Sequence, residues 1–491
     1  MPAGDTREEC APCWAEGFAK LRRQMDDWIS ASMAMQRHVP FMGVHDEGSF
    51  ITCWLCHYQL TGDRGILEFA RYLRDGFARW GRESLVSGFF PSGEVHHQTE
   101  IFNNFLLRLW HVDHDEMTAR LLLDAAEHIG NWAPGYPEWY DWQADRFVGW
   151  HIGTVEMGQG DEFEVPDHFR LIQLALGAYE ICGDERYLDL SVRWTRRWAN
   201  ALLDAHSAGD VGAAMQVGAA HDPRQLAYAR GDHHAGAGAI GQIEPFVAAG
   251  AIDVLLDLHR ITGATLYADA ARALCAPLVG QLPDPDANPP GALLQRYRVD
   301  TGDASLDEAA LGVLEGCCLQ APGEPIMMLD TPRGEPVAGI GKRSDMIRWA
   351  YRDESGRILP EDSPSPAALM LGYQISGDEA FAAWALEMAA GRLSLGRRLR
   401  DGRRHGCGGR SVSAIASGHG RDSGYGNITG SLYPLAHGAV KYLGHERPAV
   451  ALGESDRGLP VDSAALTRRM PGAAPVTSLW NGRRLQTVVA P

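Results

Sequence analysis

The sequence predicts an all-α fold, a toroid of six helical hairpins of the (α/α)6 kind, and three observations carry that expectation. The first is a recurring turn. It reads Leu55-x-x-Tyr58 then Thr61-Gly62-Asp63, Leu176-x-x-Tyr179 then Cys182-Gly183-Asp184, Leu256-x-x-His259 then Thr262-Gly263, and Met370-x-x-Tyr373 then Ser376-Gly377-Asp378. The second is the apolar helix after each turn: Ile66-Leu67-x-x-Ala70-x-x-Leu73, Tyr187-Leu188-x-x-Ser191, Tyr267-x-x-Ala270-x-x-Ala273 and Phe381-x-x-Trp384-x-x-Glu387. The third is the repetition itself: six stretches follow one helix-hairpin pattern, and a repeat of this length sets an architecture. A glycine just past the last apolar turn can adopt the left-handed conformation that ends a helix, and an Asp beside it can cap the next. Each unit is therefore an antiparallel hairpin with a tight turn, which puts shared chemistry on the rim opposite the turns.

Helical periodicity starts at about residues 8–37, with Trp14, Phe18, Leu21, Met25, Trp28, Ile29 and Met33 at the apolar positions. The first inner helix is expected at 48–60 and its outer partner at 63–80. The second inner helix follows at 98–111, where Val112-Asp113-His114-Asp115 replaces the usual turn, with its partner at 116–132. An aromatic loop comes next, Tyr136-Pro137-Glu138-Trp139-Tyr140-Asp141-Trp142, then an acidic one from Gly158 to Glu164. The third inner helix opens at Pro166, a residue suited to the first helical position, and runs to Cys182. The fourth is expected at 244–262 behind a glycine-rich lead-in, the fifth begins at Ser363-Pro364, and the sixth spans 428–443. The N-terminal helix supplies the outer partner that the sixth lacks and closes the ring.

Residues 283–360 read as a partly β insertion in a toroid of residues 1–445, with strand-like pieces at 293–299, 325–329 and 346–351. A further hairpin near Leu306 to Leu314 would change the count. The segment 446–491, rich in Pro and Gly, is expected as an irregular tail on the outside.

At 491 residues the chain exceeds the usual single-core size, which a ring of hairpins with one continuous core can accommodate. A net charge of −18 disfavours nucleic acid and anionic membranes as partners. No apolar run approaches the roughly 20 residues that span a bilayer. Residues 1–9 lack a basic segment followed by an apolar one, so no secretory signal is read there and a cytoplasmic location is expected. The nine cysteines, an odd number mostly in helical segments, suggest reduced thiols rather than a disulfide framework. Cys10-x-x-Cys13 and Cys53-x-x-Cys56 have the spacing of a four-thiolate zinc site, but the second pair sits in an apolar helix without glycine knuckles. No metal and no cofactor are expected, and the oligomeric state, a homo-oligomer included, is left open.

Helix–Thr-Gly-Asp–helix units that close into a ring resemble the six-hairpin glycosidases and their relatives among polysaccharide lyases and sugar epimerases. The resemblance covers about residues 8–445 and rests on the architecture and the Thr61-Gly62-Asp63 and Ser376-Gly377-Asp378 turns. It implies carbohydrate chemistry and carries over no catalytic residue.

The inner-helix starts gather His and carboxylate side chains from distant positions: His45, Asp46 and Glu47; His96, His97 and Glu100; Asp161, Glu162, Glu164, Asp167 and His168; His233, His234 and Glu244; Asp362; Tyr425 and Asn427. Helix starts also present backbone N–H groups that favour anionic or hydroxyl-rich ligands. His96-His97-Gln98-Thr99-Glu100 is the sharpest cluster, because both His–Glu spacings share a helix face. The acids between Asp161 and Asp167 outnumber what a helix dipole needs. Trp142, in the aromatic loop, could stack on a sugar ring. His111-x-x-His114 has metal-like spacing but falls at the turn rim, where a solvated turn is expected. The chain has no Gly-x-Ser-x-Gly elbow, phosphate-binding loop or His-Glu-x-x-His, and the Gly-x-Gly-x-x-Gly match at Gly236 to Gly241 follows no strand.

The leading expectation is a glycoside hydrolase acting on short oligosaccharides, uronate-containing ones included. Its catalytic pair would be Glu100 with Glu162 or Asp167, tuned by His97. His96, Asp46, His168, His233, His234, Glu244, Asn427 and Trp142 would contact the substrate. A lyase would instead use Tyr425 with His97 or His234 as acid and base, with Asn427 on a uronate carboxylate. A sugar epimerase and a non-catalytic glycan-binding protein remain as further alternatives.

Overall fold

The computed structural model describes residues 14–36, 41, 43, 47–48, 54–55, 57–58, 61–91, 93–156, 162–210, 214, 243–283, 288–317, 324–329, 347–352, 355–359, 364–395, 464–468, 476–480 and 485–489. Among them the chain is mostly helical. Helix α1 (Trp14–Gln36) is followed by helical residues at 54–55, 57–58 and 61, then by α2 (Arg64–Ser84). Helix α3 (Val95–Ile101) passes through a π turn (Phe102–Leu106) into α4 (Leu107–Asp113), and α5 (Glu116–Ile129) follows. The aromatic loop forms a short antiparallel hairpin, β1 (Tyr140–Asp141) with β2 (Arg146–Phe147). A 3-10 turn (Pro166–His168) leads into α6 (Phe169–Cys182), and α7 (Glu185–Ser207) returns. Then come α8 (Glu244–Ala248), α9 (Ala251–Thr262), α10 (Thr265–Cys275), α11 (Asn288–Thr301) and α12 (Asp307–Gly316). Strands β3 (Glu324–Leu329), β4 (Ile347–Arg352) and β5 (Ile358–Leu359) form an antiparallel sheet in that order, with Ile326 opposite Ala350. Helices α13 (Pro366–Ser376) and α14 (Glu379–Leu395) follow. Strands β6 (Ala464–Arg468), β7 (Val476–Trp480) and β8 (Leu485–Val489) form a second antiparallel sheet, with Ser478 between Leu466 and Thr487.

The recurring turn is one structure repeated. Gly62, Gly183, Gly263 and Gly377 have φ of +74°, +71°, +70° and +74°, and each N–H bonds the carbonyl four residues back. The residue before the glycine explains the Thr and Ser. Thr61, Thr262 and Ser376 each donate a hydroxyl to the carbonyl four residues back and accept the backbone N–H two residues on. Orphaned groups at both helix ends are thereby satisfied within five residues. His114 takes the glycine's place at the variant turn, with φ +49°, and Asp115 caps α5 through Met117 N and Thr118 N.

The chain divides into two compact units, one of Val39–Leu55 with Gly65–Pro277, the other of Met1–His38, Cys56–Arg64 and Leu278–Pro491. In the first, α6 packs between α5 and α7, α9 packs on α6 and α10, and α3 meets α6. The leading helix of a hairpin and the following one differ in burial. Every residue of α6 from Phe169 to Ala178 is buried, whereas α7 buries one face, including Tyr187, Leu190, Trp194, Trp198 and Leu202, and exposes Glu185, Asp189, Arg196, Asn200 and Asp204 on the other. In the second unit, Pro366 to Gly372 of α13 is likewise buried throughout, α13 packs between α11 and α14, and α1 lies against α14.

Amide side chains tie successive leading helices. Asn103 Nδ2 donates to Arg170 O at 2.8 Å and Gln173 Nε2 to Ala249 O at 3.0 Å; in the other unit Gln295 Nε2 donates to Ala367 O at 2.9 Å. Each acceptor lies at or just before the start of the next leading helix.

Four expectations change. Residues 293–299 are not a strand but the middle of α11, where Leu294, Gln295, Arg296 and Tyr297 are all buried. A helix buried on every side shows no period in its sequence. The hairpin near Leu306 to Leu314 exists as α11–α12, closed by another copy of the turn at Thr301-Gly302-Asp303, with Gly302 at φ +69°. The fourth inner helix breaks at Ala249-Gly250, where Gly250 has φ +72°, into α8 and α9. The C-terminal segment, expected to be irregular, contains the β6–β8 sheet. The helix expected at 428–443 lies outside the described residues.

Candidate functional site

His96 and Glu100 sit four apart on α3, so their side chains share a face, and His96 Nε2 lies 3.5 Å from Glu100 Oε1. The other ring nitrogen, Nδ1, lies 3.2 Å from Asp167 Oδ1, on the 3-10 turn that opens α6. One imidazole thus joins two acids from different helix starts. Burial alone would push the His96 pKa down, and Arg170 also lowers it; the charge and hydrogen bond of Asp167, helped by Glu100, outweigh both. The pKa rises to about 9, so His96 is an imidazolium at neutral pH.

The two acids differ in access. Glu100 is completely buried, while the Asp167 side chain keeps 17% of its surface exposed. Glu100 therefore bears on the rest of the cluster through His96, itself buried. Thr99 and Asn103, on the same helix, hold Arg170: its Nε donates to Thr99 Oγ1 at 2.9 Å, and Asn103 binds its carbonyl. Asn103 belongs to the π turn, whose extra residue per turn rotates the side chains after Glu100; such bulges are frequent at functional sites.

A second acid–imidazole pair lies beside the first. His97 stands edge-on to His96, ring centroids 5.3 Å apart, and pairs with Glu94, which precedes α3. Both side chains reach solvent, His97 at 32% and Glu94 at 17%. Glu94 was not among the sequence candidates; its signal is the three-residue spacing to His97 that also singles out Glu100. The backbone at Glu94 forms an antiparallel bridge with His151, and Val95 N donates to Trp150 O at 3.1 Å.

The remaining candidates disperse. His168 is buried; its Nδ1 lies within hydrogen-bond distance of Val165 N and O, its Nε2 of Gly149 O, and its ring stacks on Phe147 at 4.8 Å. Burial pushes its pKa below the ordinary value, so it is a neutral packing group rather than a substrate contact. Glu164 is buried and accepts from Phe147 N at 2.7 Å and Trp194 Nε1 at 2.6 Å while pairing with Arg197, which clamps the β1–β2 hairpin to α7. Trp142 Nε1 donates to Gly130 O at 3.1 Å and its ring packs on Tyr140, so it pins its own loop. Glu162 is exposed, ahead of buried Phe163. Glu47 is buried. At the turn end, His111 is buried and bonded to Glu180 at 3.0 Å, not solvated. Glu244 opens α8, and nothing of its side chain is described. His45, Asp46, Asp161, His233, His234, Asp362, Tyr425 and Asn427 lie outside the described residues, as do Cys10, Cys13, Cys53 and Cys56.

No family model, curated protein or solved structure matches this chain. The cluster holds two carboxyl groups with partial exposure, Glu94 and Asp167, on adjoining imidazoles, with Glu100 and Arg170 behind them. Among the described residues, no group of three or more His, Cys, Asp or Glu is arranged to hold a metal ion.

Proposed function

We propose that this chain is a glycoside hydrolase of short oligosaccharides, uronate-containing ones included, built as a toroid of helical hairpins like the six-hairpin glycosidases it resembles. The observation that carries the proposal is the pairing of Asp167 with His96 and of Glu94 with His97, on imidazoles in ring contact. Glycoside hydrolysis needs one carboxyl group to protonate the leaving oxygen and another, ionised, to act as base or nucleophile. Asp167, facing a charged imidazolium, takes the ionised role. The Glu94–His97 pair, the more exposed of the two, supplies the proton for the leaving oxygen. Glu100 is a positioning residue that acts through His96. The amide ties between successive leading helices support the toroid, since each hairpin then adjoins the next in sequence.

An assay on a panel of neutral and uronate-containing di- and trisaccharides tests the assignment. Hydrolysis releases new reducing ends, and Asp167→Asn slows the release about 10²–10⁴-fold. An unsaturated product absorbing in the ultraviolet would assign elimination instead, and rearrangement without cleavage an epimerase. Binding without turnover, equal in the wild type and Asp167→Asn, would make the chain a glycan-binding protein.

A further inference from the structure

We infer that Arg170 is a positioning residue, a two-pronged clamp that holds the helix start carrying Asp167 against the helix carrying His96 and Glu100. The role deepens the hydrolase reading, on which its rate readout rests. Arg170 stands three residues after Asp167, at the opening of α6. Its side chain reaches α3, where Nε donates to Thr99 Oγ1 at 2.9 Å. Its backbone does so too, because its carbonyl accepts from Asn103 Nδ2 at 2.8 Å. Thr99 directly precedes Glu100 and Asn103 follows it by three residues, so the two prongs bracket the buried acid along α3 and its π turn. The Thr99 hydroxyl is oriented for the task. It donates back into its own helix, within reach of Val95 O at 2.8 Å and His96 O at 3.0 Å, which leaves its lone pairs to Arg170.

Every part of the clamp is buried: Thr99, Asn103 and Arg170, like His96 and Glu100 beside them. Helix α3 packs on α6, the 3-10 turn and the π turn. Among the described residues, the charged groups that bear on His96 from these elements are Asp167 and Arg170, with Glu100 and the ring of His97 on α3 itself. His168, on the 3-10 turn, is neutral and engaged with Val165 and Gly149. The charge of Arg170 works against the imidazolium, lowering the His96 pKa that Asp167 and Glu100 raise. A buried guanidinium that opposes the imidazolium does not serve to keep His96 protonated. What it supplies is the fixed separation of Asp167 Oδ1 and His96 Nδ1, 3.2 Å, across two helix starts. Misplacing a reacting group by about 1 Å can cost on the order of 10²-fold in rate, so the clamp bears on Asp167 as an acid–base group.

Thr99→Val removes the side-chain acceptor at nearly the same shape and leaves every charge in place, whereas Thr99→Ser keeps the hydroxyl. His96 is followed by NMR in the full chain labelled at its histidine rings, with the signal assigned by its loss in His96→Gln. In parallel, kcat and KM are measured on cellotriose, xylotriose, chitotriose and trigalacturonate. Thr99→Val is expected to bring the His96 pKa from about 9 to about 8 or below as the Asp167 contact slackens. It should also lower kcat about 10-fold or more while KM changes less than about 2-fold, and Thr99→Ser should restore most of both. Asn103→Ser draws the other prong out of reach of the Arg170 carbonyl and is measured, with the same expectations, if Thr99→Val does not fold. A folded Thr99→Val chain that cleaves a probe with either readout unmoved overturns the clamp and leaves the hydrolase assignment standing, as does a Thr99→Ser chain no better than Thr99→Val. A wild-type chain that cleaves none of the four probes or the assay panel overturns the hydrolase assignment. The His96 titration then decides the clamp alone: a pKa still near 9 in Thr99→Val overturns it, and one at about 8 or below upholds it.

Discussion

Asp167 Oδ1 lies 3.2 Å from His96 Nδ1, and this contact holds the proton on the buried imidazole. Without Asp167, burial and Arg170 are left to act against a single helper, Glu100. Asp167→Asn should bring the His96 pKa down from about 9 toward or below its ordinary 6.5, read by NMR titration of the imidazole. The same substitution should lower kcat on a cleaved oligosaccharide by about 10²–10⁴-fold, the range for loss of an acid–base group. A His96 that still titrates near 9 would show that another group holds the proton.

Stability should fall on both sides of neutrality, for opposite reasons. The folded pKa of His96 is raised, so its contribution is complete below pH 6.5 and is lost as pH rises from 6.5 through about 9. A shift of this size is worth on the order of 3 kcal/mol. His168 behaves in reverse: burial lowers its folded pKa, the unfolded chain takes up the proton first, and stability drops as pH falls below 6.5. Denaturant midpoints measured across this range check both limbs; in His96→Gln the alkaline loss should shrink while the acid limb remains.

Glu100 has no solvent exposure, so its removal is a stability experiment before it is a catalytic one. Glu100→Ala leaves the buried imidazolium with one carboxylate fewer and should cost about 3–5 kcal/mol. Glu100→Gln keeps a polar partner and should cost closer to about 1 kcal/mol. It should still lower the His96 pKa and move the alkaline limb of the pH–rate profile down. An unmoved limb would remove Glu100 from the positioning role.

What the sequence disclosed follows from the range of each interaction. The hairpin turns were legible because their bonds close within five residues: Thr61 and Ser376 announce themselves by residue type next to a left-handed glycine. Thr301-Gly302-Asp303 obeys the same rule but was masked by α11, whose burial on all sides erased the apolar period that would have marked a helix before it. Val476-Thr-Ser-Leu-Trp480 pairs on both edges, a long-range property hidden by the Pro and Gly around it. In the site, His96, Glu100 and Asp167 were legible as helix-start residues at helical spacing, and they do converge. His168 and Trp142 have the right chemistry and the wrong surroundings: what decides them is a backbone carbonyl 19 residues away in one case and 12 in the other. Glu94 escaped because it stands one residue outside the helix.

The tie between Gln173 and Ala249 makes Gly250 the most sensitive backbone position of the α8–α9 break. Gly250 has φ +72°, and a Cβ built there would sit 2.0 Å from Gln173 Nε2, inside the hydrogen bond that joins α6 to the segment before α9. Gly250→Ala therefore combines left-handed strain with loss of that bond. It should destabilise the fold by about 2 kcal/mol or more, roughly 1–2 for the strained backbone and about 1 for the bond. Gln173→Ala removes only the bond and leaves Ala249 O to find water, so it should cost about 1–2 kcal/mol. Because both act on one interaction, the double variant should be less destabilised than the sum of the singles, a coupling that a double-mutant cycle in denaturant measures directly. Strict additivity would mean that the amide does not hold the break in place.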